Sequence, residues 1–432
     1  MVVCRRGRCP VLEETPQDAA PVERVAALDI GKAEVVCCVR VPSLSGSGRR
    51  VQEVRTFTTM TRSLQGMGDW LAGLGVTRIV MEATSDYWKP PFYLLEAAGF
   101  DVWLVNAREV KHLPGRPKTD LLDAVWLCKI AERGMVRASF VPPAPIRLLR
   151  DVTRYRVDLV GERNREKNRV EKLLEDAQIK LSVVASDIFG VSGRAMMAAL
   201  IAGQRDPKIL AQLARTAMRA KIRDLEEAFV GRFSEHHAFL LARMLAHIDA
   251  LDADIAAVED RIEELIAPFA TAVATLDDIP GVGPTAAQAI IAEIGVDMSR
   301  FPTAGHLASW ARFAPAVKES AGKNKGNGAT GHGNRYLARA LGEAAVGASR
   351  TNTFLGERYR RIARRRGKKK AIVAVGRSIL VIIWQLLNTE RATFTDLGPD
   401  YYDNRGGTQR AVRNHIRGLQ ALGYQVTLQT AA

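Results

Sequence analysis

Cysteine is scarce in this sequence, and its pattern excludes two classes of protein. The 432 residues include only five cysteines: Cys4, Cys9, Cys37, Cys38 and Cys128. An odd number fits no complete disulfide framework, and none of the five has the paired spacing of metal-ligand motifs. We therefore expect neither a disulfide-stabilised domain nor a cysteine metal site, and we expect the protein to work in the reducing cytoplasm.

Long apolar runs are missing as well. The first residues carry charges and no apolar run suitable for a signal peptide. The most hydrophobic stretch, residues 371–387, is interrupted by Arg377 and is short for a membrane span. We expect this stretch to form a buried helix, and we expect no membrane partner.

Acidic residues are outnumbered by basic ones. The sequence has 62 Lys and Arg against 47 Asp and Glu, which gives a formal net charge of +15. Such an excess indicates a polyanionic partner, although a solvated basic surface is the simpler alternative. With 47% hydrophobic residues the chain is too apolar to be disordered, and 432 residues exceed what one core usually supports. We expect two or three domains.

The N-terminal part has the pattern of a mixed sheet. Residues 1–22 lack periodicity and are predicted to be a flexible tail. Within residues 23–145, strand-like runs are first joined by turns and then alternate with helices. The predicted strands are 25–30, 35–41, 51–57, 78–81 and 101–105, and the predicted helices are 63–74 and 91–98.

Strand signals end after residue 145, and residues 146–268 are predicted to be helical. One helix covers residues 146–180, and a second carries apolar residues at alternating steps of three and four. These residues are Leu241, Met244, Ile248, Leu251, Ile255, Val258, Ile262 and Leu265. This spacing is typical of a coiled-coil seam, which would pair helices within or between chains.

The remaining sequence is rich in small and basic residues. We predict a mainly helical domain over residues 269–392 and an extension over 393–432. Gly281 and Gly283 precede a helix, as in helix-hairpin-helix elements whose backbone contacts phosphates; a plain helix–helix turn is the alternative. Residues 358–370 hold nine Lys or Arg and no acid. We expect nucleic-acid contacts from Arg364, Arg365, Arg366, Lys368, Lys369 and Lys370, unless the run is merely a solvated face.

Four acidic residues have the positions of a metal site. Asp29 and Glu82 each end an apolar strand, which would hold a carboxylate rigidly at a cleft. Asp120 and Asp123 begin a predicted helix, and their spacing places both on one face. Such acids repel one another unless a cation lies between them, and hard oxygen ligands suit Mg²⁺ or Mn²⁺. Taken singly, each acid has a structural alternative as a helix cap or a turn residue.

The order Asp, Glu, Asp-x-x-Asp resembles the RuvC-type branch of the ribonuclease H-like fold. More closely, the sequence resembles the DEDD insertion-sequence transposases, which are bridge-RNA-guided recombinases. The likeness includes LDIGK from residue 28, MEAT from residue 81, KTD from residue 118, LLRD from residue 148 and RYR from residue 154. It extends over nearly the whole chain beyond the tail. Where this family usually has a glycine before Phe313, the sequence has Arg312.

This resemblance implies DNA and a guide RNA as partners, a homo-oligomer such as a dimer or tetramer, and a serine nucleophile. Ser320 is the matching serine, and Lys318, Lys323 and Lys325 surround it. By resemblance, it attacks DNA and forms a phosphoserine intermediate that the metal-bearing domain of a neighbouring subunit completes. Ser309 lies in an amphipathic helix, where we expect it to pack. Arg335 and Arg339 are further expected nucleic-acid contacts.

The leading interpretation is therefore a transposase that cleaves and exchanges DNA strands. A metal-dependent nuclease such as a junction resolvase is the second, and a non-catalytic nucleic-acid-binding scaffold is the third. Four intact acids argue against a scaffold. The long extension that carries Ser320 argues against a resolvase, because a resolvase core needs no such domain.

Overall fold

The computed structural model describes residues 22–43, 49–83, 85–107, 120–315, 319–320, 323–324, 329–402 and 408–428. At Asp120, Ser320 and Lys323 only the backbone is described. The predicted tail lies outside these ranges except for Val22, as do Lys318 and Lys325. The chain divides into two compact units, Met1–Val141 and Pro142–Ala432.

The first unit contains a five-stranded mixed sheet in the order β3-β2-β1-β4-β5. The strands are β1 (Val25–Ile30), β2 (Glu34–Pro42), β3 (Arg50–Thr58), β4 (Arg78–Glu82) and β5 (Asp101–Val105). The first three pair antiparallel through short connections, whereas β1–β4 and β4–β5 are parallel. The predicted mixed sheet with flanking helices is confirmed.

Helices cover both faces of this sheet. They are α1 (Thr61–Gly73), α2 (Lys89–Ala97) and α3 (Asp120–Glu132). Because side chains alternate along a strand, Leu28 packs in one core with residues of α1 and α2. Ala27 and Val80 pack in the other core, with Ala124 and Leu127 of α3. The sheet therefore has an α1/α2 face and an α3 face.

The second unit is mainly helical in the part of the chain described. Its longer helices are α4 (Ala144–Asp176), α6 (Val191–Ile201), α9 (Glu235–Ile266), α11 (Pro284–Ile294), α13 (Arg335–Ser349), α14 (Phe354–Arg366), α15 (Lys368–Asn388) and α16 (Thr408–Ala421). Shorter ones are α5 (Leu181–Val184), α7 (Pro207–Ala211), α8 (Ile222–Ala228), α10 (Ala270–Asp277) and α12 (Ala304–Trp310). Short 3-10 helices occupy Thr216–Lys221, Ala267–Phe269 and Met298–Arg300. A short hairpin pairs β6 (Glu319–Ser320) with β7 (Lys323–Asn324).

Helices α4 and α9 form an antiparallel pair within the chain. Leu159 of α4 lies in one buried cluster with Leu251 and Ile255 of α9. An ion pair joins Arg163 Nη1 to Asp252 Oδ1 at 2.5 Å across the two helices. The apolar seam predicted from the sequence is thus covered by a helix of the same chain. Pairing between chains remains a prediction.

Helix α15 corresponds to the apolar stretch that we predicted to be a buried helix. By length and composition alone, it could cross a membrane. One face of the helix is nevertheless fully buried, with Ala371, Val375, Ile379 and Ile383 each 0% exposed. Trp384 Nε1 also donates a hydrogen bond of 2.7 Å to the carbonyl of Phe301. This face is therefore part of the core of the second unit.

Candidate active site and nucleic-acid interface

Asp29 and Glu82 occupy the ends of neighbouring parallel strands. The last pair in the register of β1 and β4 is Leu28 with Met81, and the next residue on each strand is the carboxylate. By strand alternation, Asp29 shares the face of Ala27, and Glu82 shares the face of Val80. Both acids are half-buried and lie at one edge of the α3 face. The structure therefore brings this predicted pair together.

Helix α3 carries the other two acids and covers the same face. It begins at Asp120, and Asp123 is half-buried one turn later. Its other end is anchored by Glu132, which pairs with Arg40 at 2.5 Å and with Arg50 at 2.8 Å. Two cations thus offset the unfavourable position of a carboxylate at a helix C-terminus. These ion pairs fix the C-terminal end of α3 on the sheet, opposite to the end that carries Asp120 and Asp123.

Two buried cysteines fill the space beneath α3. Cys128 of α3 and Cys38 of β2 are both fully buried in the core of the α3 face. Burial raises the pKa of the Cys128 thiol, and its hydrogen bond with Cys38 raises it further. Cys128 Sγ also lies 3.5 Å from the carbonyl oxygen of Val25. These thiols act as small packing residues that attach α3 to the sheet.

The four predicted acids have the right chemistry for a hard divalent cation, because carboxylate oxygens are the preferred ligands of such ions. Asp29, Glu82 and Asp123 are described with their side chains, whereas that of Asp120 lies outside the described part. Within that part, no group of three or more His, Cys, Asp or Glu side chains is close enough to hold an ion. The described geometry thus places a pair of acids at adjacent strand ends and a third on the covering helix.

Ser320 lies in the hairpin of the second unit. Its backbone pairs with Lys323 in the register of β6 and β7. This pairing places a predicted phosphate-binding lysine directly across from the predicted nucleophile. Ser309 is different: we expected it to pack inside an amphipathic helix, but it is exposed on α12. That prediction was wrong because the buried face of α12 consists of Leu307 and Ala308 instead.

Comparison with known proteins agrees with this arrangement of acids and helices. Residues 26–179 match the family model of the DEDD transposases of the IS110 type. Residues 273–360 match the transposase model of the IS116/IS110/IS902 family. Together the two matches include more than half of the chain. The chain belongs to the IS110 family of DEDD transposases. It is therefore an enzyme that binds, cleaves and recombines DNA, and the DEDD domain implies dependence on a divalent metal.

Two relatives within the IS110 family are similar over most of their length, and a third is similar over about a quarter of its length. An uncharacterised 44.8 kDa protein of insertion element IS116 from Streptomyces clavuligerus is 28% identical over 340 residues, which is 71% of this chain and 81% of that protein. An uncharacterised 42 kDa protein of IS900 from Mycobacterium paratuberculosis is 28% identical over 325 residues, with coverage of 68% and 78%. An uncharacterised 43.6 kDa protein of IS110 from Streptomyces coelicolor is 34% identical over 114 residues, with coverage of 26% and 28%.

Arg312 adopts a conformation that favours glycine. Its φ angle is +61°, in the left-handed region that disfavours side chains with a Cβ atom. A Cβ atom on Gly333 would lie 2.7 Å from the carbonyl oxygen of Ala311. The backbone at Gly333 therefore packs closely against the turn that contains Arg312. The glycine that the family resemblance implies before Phe313 would adopt this turn without strain, whereas this chain adopts the turn with an arginine.

The two predicted glycines of the hairpin element differ in their surroundings. Gly281 has a φ of +89°, and a Cβ atom there would meet the carbonyl of Ala344 on α13 at 2.2 Å. Gly283 is the N-cap of α11, and a Cβ atom there would meet nothing within 4 Å. Close packing on α13 is thus a sufficient reason for Gly281. Gly283 leaves an open helix terminus, and nucleic-acid contact at either glycine remains a prediction.

The predicted basic contacts fall into two groups. Six of them are exposed at the junction of α14 and α15, where Gly367 has a φ of +85°. They are Arg364, Arg365, Arg366, Lys368, Lys369 and Lys370. By contrast, Arg339 pairs with Glu343 at 2.9 Å, and Arg335 lies over the ring of Tyr336. The junction therefore presents the largest group of exposed cations at the predicted positions.

Glu293 is a carboxylate that is only 1% exposed and that was not predicted from the sequence. It pairs with Arg150 and Arg154, which the sequence singled out only by family resemblance. Asn334, the N-cap of α13, also donates a hydrogen bond to it. The sequence did contain a signal for this residue, because Glu293 is a single acid inside the apolar stretch of α11. A carboxylate buried in such a stretch needs cationic or hydrogen-bonding partners.

Proposed function

We propose that this IS110-family enzyme moves an insertion sequence with Asp29, Glu82, Asp120 and Asp123 as metal-binding carboxylates and Ser320 as the nucleophile. The main support is the placement of Asp29 and Glu82 at adjacent strand ends, on the face covered by the helix that carries the other two acids. Unrelated acids would have no reason to share the sheet edge at which Asp29 and Glu82 lie side by side. Two of them alone would repel each other unless a cation lay between them.

Carboxylates of this kind fit Mg²⁺ or Mn²⁺. When bound, two such ions activate an attacking oxygen and stabilise the leaving oxygen in phosphodiester chemistry. The chain itself holds these carboxylates in a rigid arrangement. The β1–β2 ladder pairs Asp29 with Val36, and the β4–β5 ladder pairs Glu82 with Val105. The ion pairs of Glu132 hold α3. We expect little reorganisation of the acids during the reaction.

Ser320 is the proposed nucleophile. Its hydroxyl oxygen would form a bond to a DNA phosphorus while the bond from phosphorus to the sugar oxygen breaks. The serine proton would pass to a base, and the departing sugar oxygen would take up a proton. A free serine is a weak nucleophile, so it needs nearby positive charge or a base. Lys323, its partner in the hairpin register, supports such a role through its position.

A guide RNA and a homo-oligomer, either dimer or tetramer, complete the proposal. The net charge of +15 and the exposed cations at the α14–α15 junction support binding of RNA as well as DNA. Purification of the protein from cells that carry the complete element provides the test. We expect one RNA species encoded beside the gene to co-purify. Recovery of bulk cellular RNA in its place would contradict a dedicated guide.

Metal-dependent cleavage tests the acids. Asp29→Asn and Glu82→Gln should each abolish strand cleavage in Mg²⁺ while the far-UV circular dichroism stays native. Asp69→Asn is the matched control, because Asp69 is an exposed acid on α1, on the opposite face of the sheet. It should cleave at the wild-type rate. Full activity of both acid variants would remove the proposed metal site.

A further inference from the structure

A cavity of about 360 Å³ lies within the second unit, between α4, α9, α11 and α13. Its volume is at the lower end of the range typical of ligand sites, roughly 300–1,000 Å³. Its apolar walls include Val157, Val160 and Ala289. Three arginines, Arg154, Arg156 and Arg339, also line it. These three cations differ in how available they are to a ligand.

Arg156 is the available one. It is only 7% exposed, and its guanidinium makes no hydrogen bond among the described residues. The nearest carboxylate oxygen is Glu259 Oε1, 3.8 Å from Nη1, whereas charge-assisted hydrogen bonds are about 2.7–2.9 Å long. The side chain of Glu259 is itself 54% exposed. Burial lowers the pKa of Arg156, as expected for a cation removed from water without full compensation.

The other two arginines have close partners. Arg154 makes two hydrogen bonds of 2.7 Å to Glu293, and Arg339 pairs with Glu343 at 2.9 Å. A ligand would have to break these contacts to use either cation. Arg156 needs only the outward rotation of the exposed Glu259 side chain. The cavity therefore has one buried donor group with unused hydrogen-bonding capacity.

The start of α11 supplies a second set of donors to the same cavity. Gly283, Thr285 and Ala286 all line it, and Gly283 is the N-cap of this eleven-residue helix. No N-cap side chain accepts a hydrogen bond from the first N–H groups of α11, and the space around Gly283 is open. The first N–H groups of a helix carry a partial positive charge and bind phosphate readily.

We propose that this cavity binds one phosphate group of a nucleic-acid backbone, held between the Arg156 guanidinium and the first N–H groups of α11. The carboxylate of Glu259 occupies the place of the anion in the free protein and leaves when the phosphate enters. This site extends the proposed function. The assignment of the phosphate to a nucleic acid rests on that function. It does not involve the four acids or Ser320, so it is testable separately from catalysis.

Calorimetric titration with inorganic phosphate at low ionic strength tests the site itself. Arg156→Gln should weaken phosphate binding about tenfold or more, the effect of losing hydrogen bonds from a charged group. Glu259→Gln should strengthen it, because the competing anion is removed. Arg163→Gln is the control, since Arg163 lies on the same helix but pairs with Asp252 and does not line the cavity. Equal phosphate affinity of wild type and Arg156→Gln would overturn the proposal. If Arg156→Gln fails to fold, an unchanged phosphate affinity of Glu259→Gln would overturn it instead.

Salt-dependent binding of a labelled DNA duplex and of a labelled RNA tests the source of the phosphate. Removal of one phosphate contact should reduce the slope of log affinity against log salt by about one in Arg156→Gln. Arg163→Gln should keep the wild-type slope, because Arg163 lies outside the cavity and pairs with Asp252. An unchanged slope in Arg156→Gln, together with lost binding of inorganic phosphate, would assign the site to free phosphate and overturn its nucleic-acid role.

Discussion

Arg154 and Glu293 form a bidentate ion pair, with Nε–Oε1 and Nη2–Oε2 distances of 2.7 Å each. Arg150 adds a hydrogen bond of 2.6 Å to the Glu293 carbonyl, and Asn334 donates to the same carboxylate. Burial alone would lower the pKa of Arg154, but the hydrogen bond and the charge of Glu293 outweigh it and raise that pKa. One buried carboxylate therefore connects α4, α11 and the N-terminus of α13.

Replacement of Glu293 should destabilise the second unit. Glu293→Gln keeps the shape of the side chain but leaves Arg154 without its counter-charge. Breaking a buried pair costs about 3–5 kcal/mol, and we expect the lower end because the Arg154 side chain is 34% exposed. Urea unfolding measures the change. Glu343→Gln, which removes a 66% exposed carboxylate paired with Arg339, should change stability by less than about 1 kcal/mol. Equal effects of the two substitutions would contradict this ranking.

The two hairpin glycines should respond differently to alanine. Gly281→Ala places a Cβ atom at positive φ and against the carbonyl of Ala344, so it should lower the free energy of unfolding by about 1–3 kcal/mol or more. Gly283→Ala meets no atom and should stay within about 0.5 kcal/mol of wild type. Thermal unfolding of both variants checks this expectation. A larger loss in Gly283→Ala would mean that the hairpin packs differently.

The apolar seam of α9 should contribute to folding of the single chain. Ile248 and Ile255 are buried, and Ile255 packs with Leu159 of α4. Ile248→Glu combined with Ile255→Glu buries two unpaired charges, and removing the partner of a buried charge already costs about 3–5 kcal/mol. We expect lost helicity and a lower urea midpoint. Ala250→Glu with Ala256→Glu, at exposed positions of α9, is the control. Native stability with a smaller mass by light scattering would show that the seam pairs between chains instead.

Strands and strand-end acids were predictable from the sequence because alternation and β-branched runs mark them locally. The register that places Asp29 beside Glu82 could not be predicted, because it depends on pairing between segments about 50 residues apart. A three-four spacing shows that α9 has an apolar face but not which helix covers it. The role of Gly281 was missed for the same reason: the atoms that it approaches belong to α13, far along the chain.

The serine mechanism makes the prediction that separates a recombinase from a nuclease. If Ser320 attacks DNA, a covalent protein–DNA adduct should accumulate on a substrate nicked so that religation is blocked. The adduct should survive denaturant and disappear on digestion with protease. Ser320→Ala should lose both the adduct and strand exchange. It should keep DNA and RNA binding, because one hydroxyl contributes little beside a basic surface.

Ser309→Ala is the matched control for Ser320→Ala. Ser309 is exposed on α12, eleven residues earlier in the chain, and nothing among the described residues gives it a catalytic role. This variant should form the adduct at the wild-type level. A metal-dependent nuclease would instead use water, leave no adduct and be indifferent to both substitutions. Strand cleavage by Ser320→Ala at the wild-type rate would therefore exclude the serine as nucleophile. It would leave the four acids, and a resolvase-like reaction, as the chemistry of this chain.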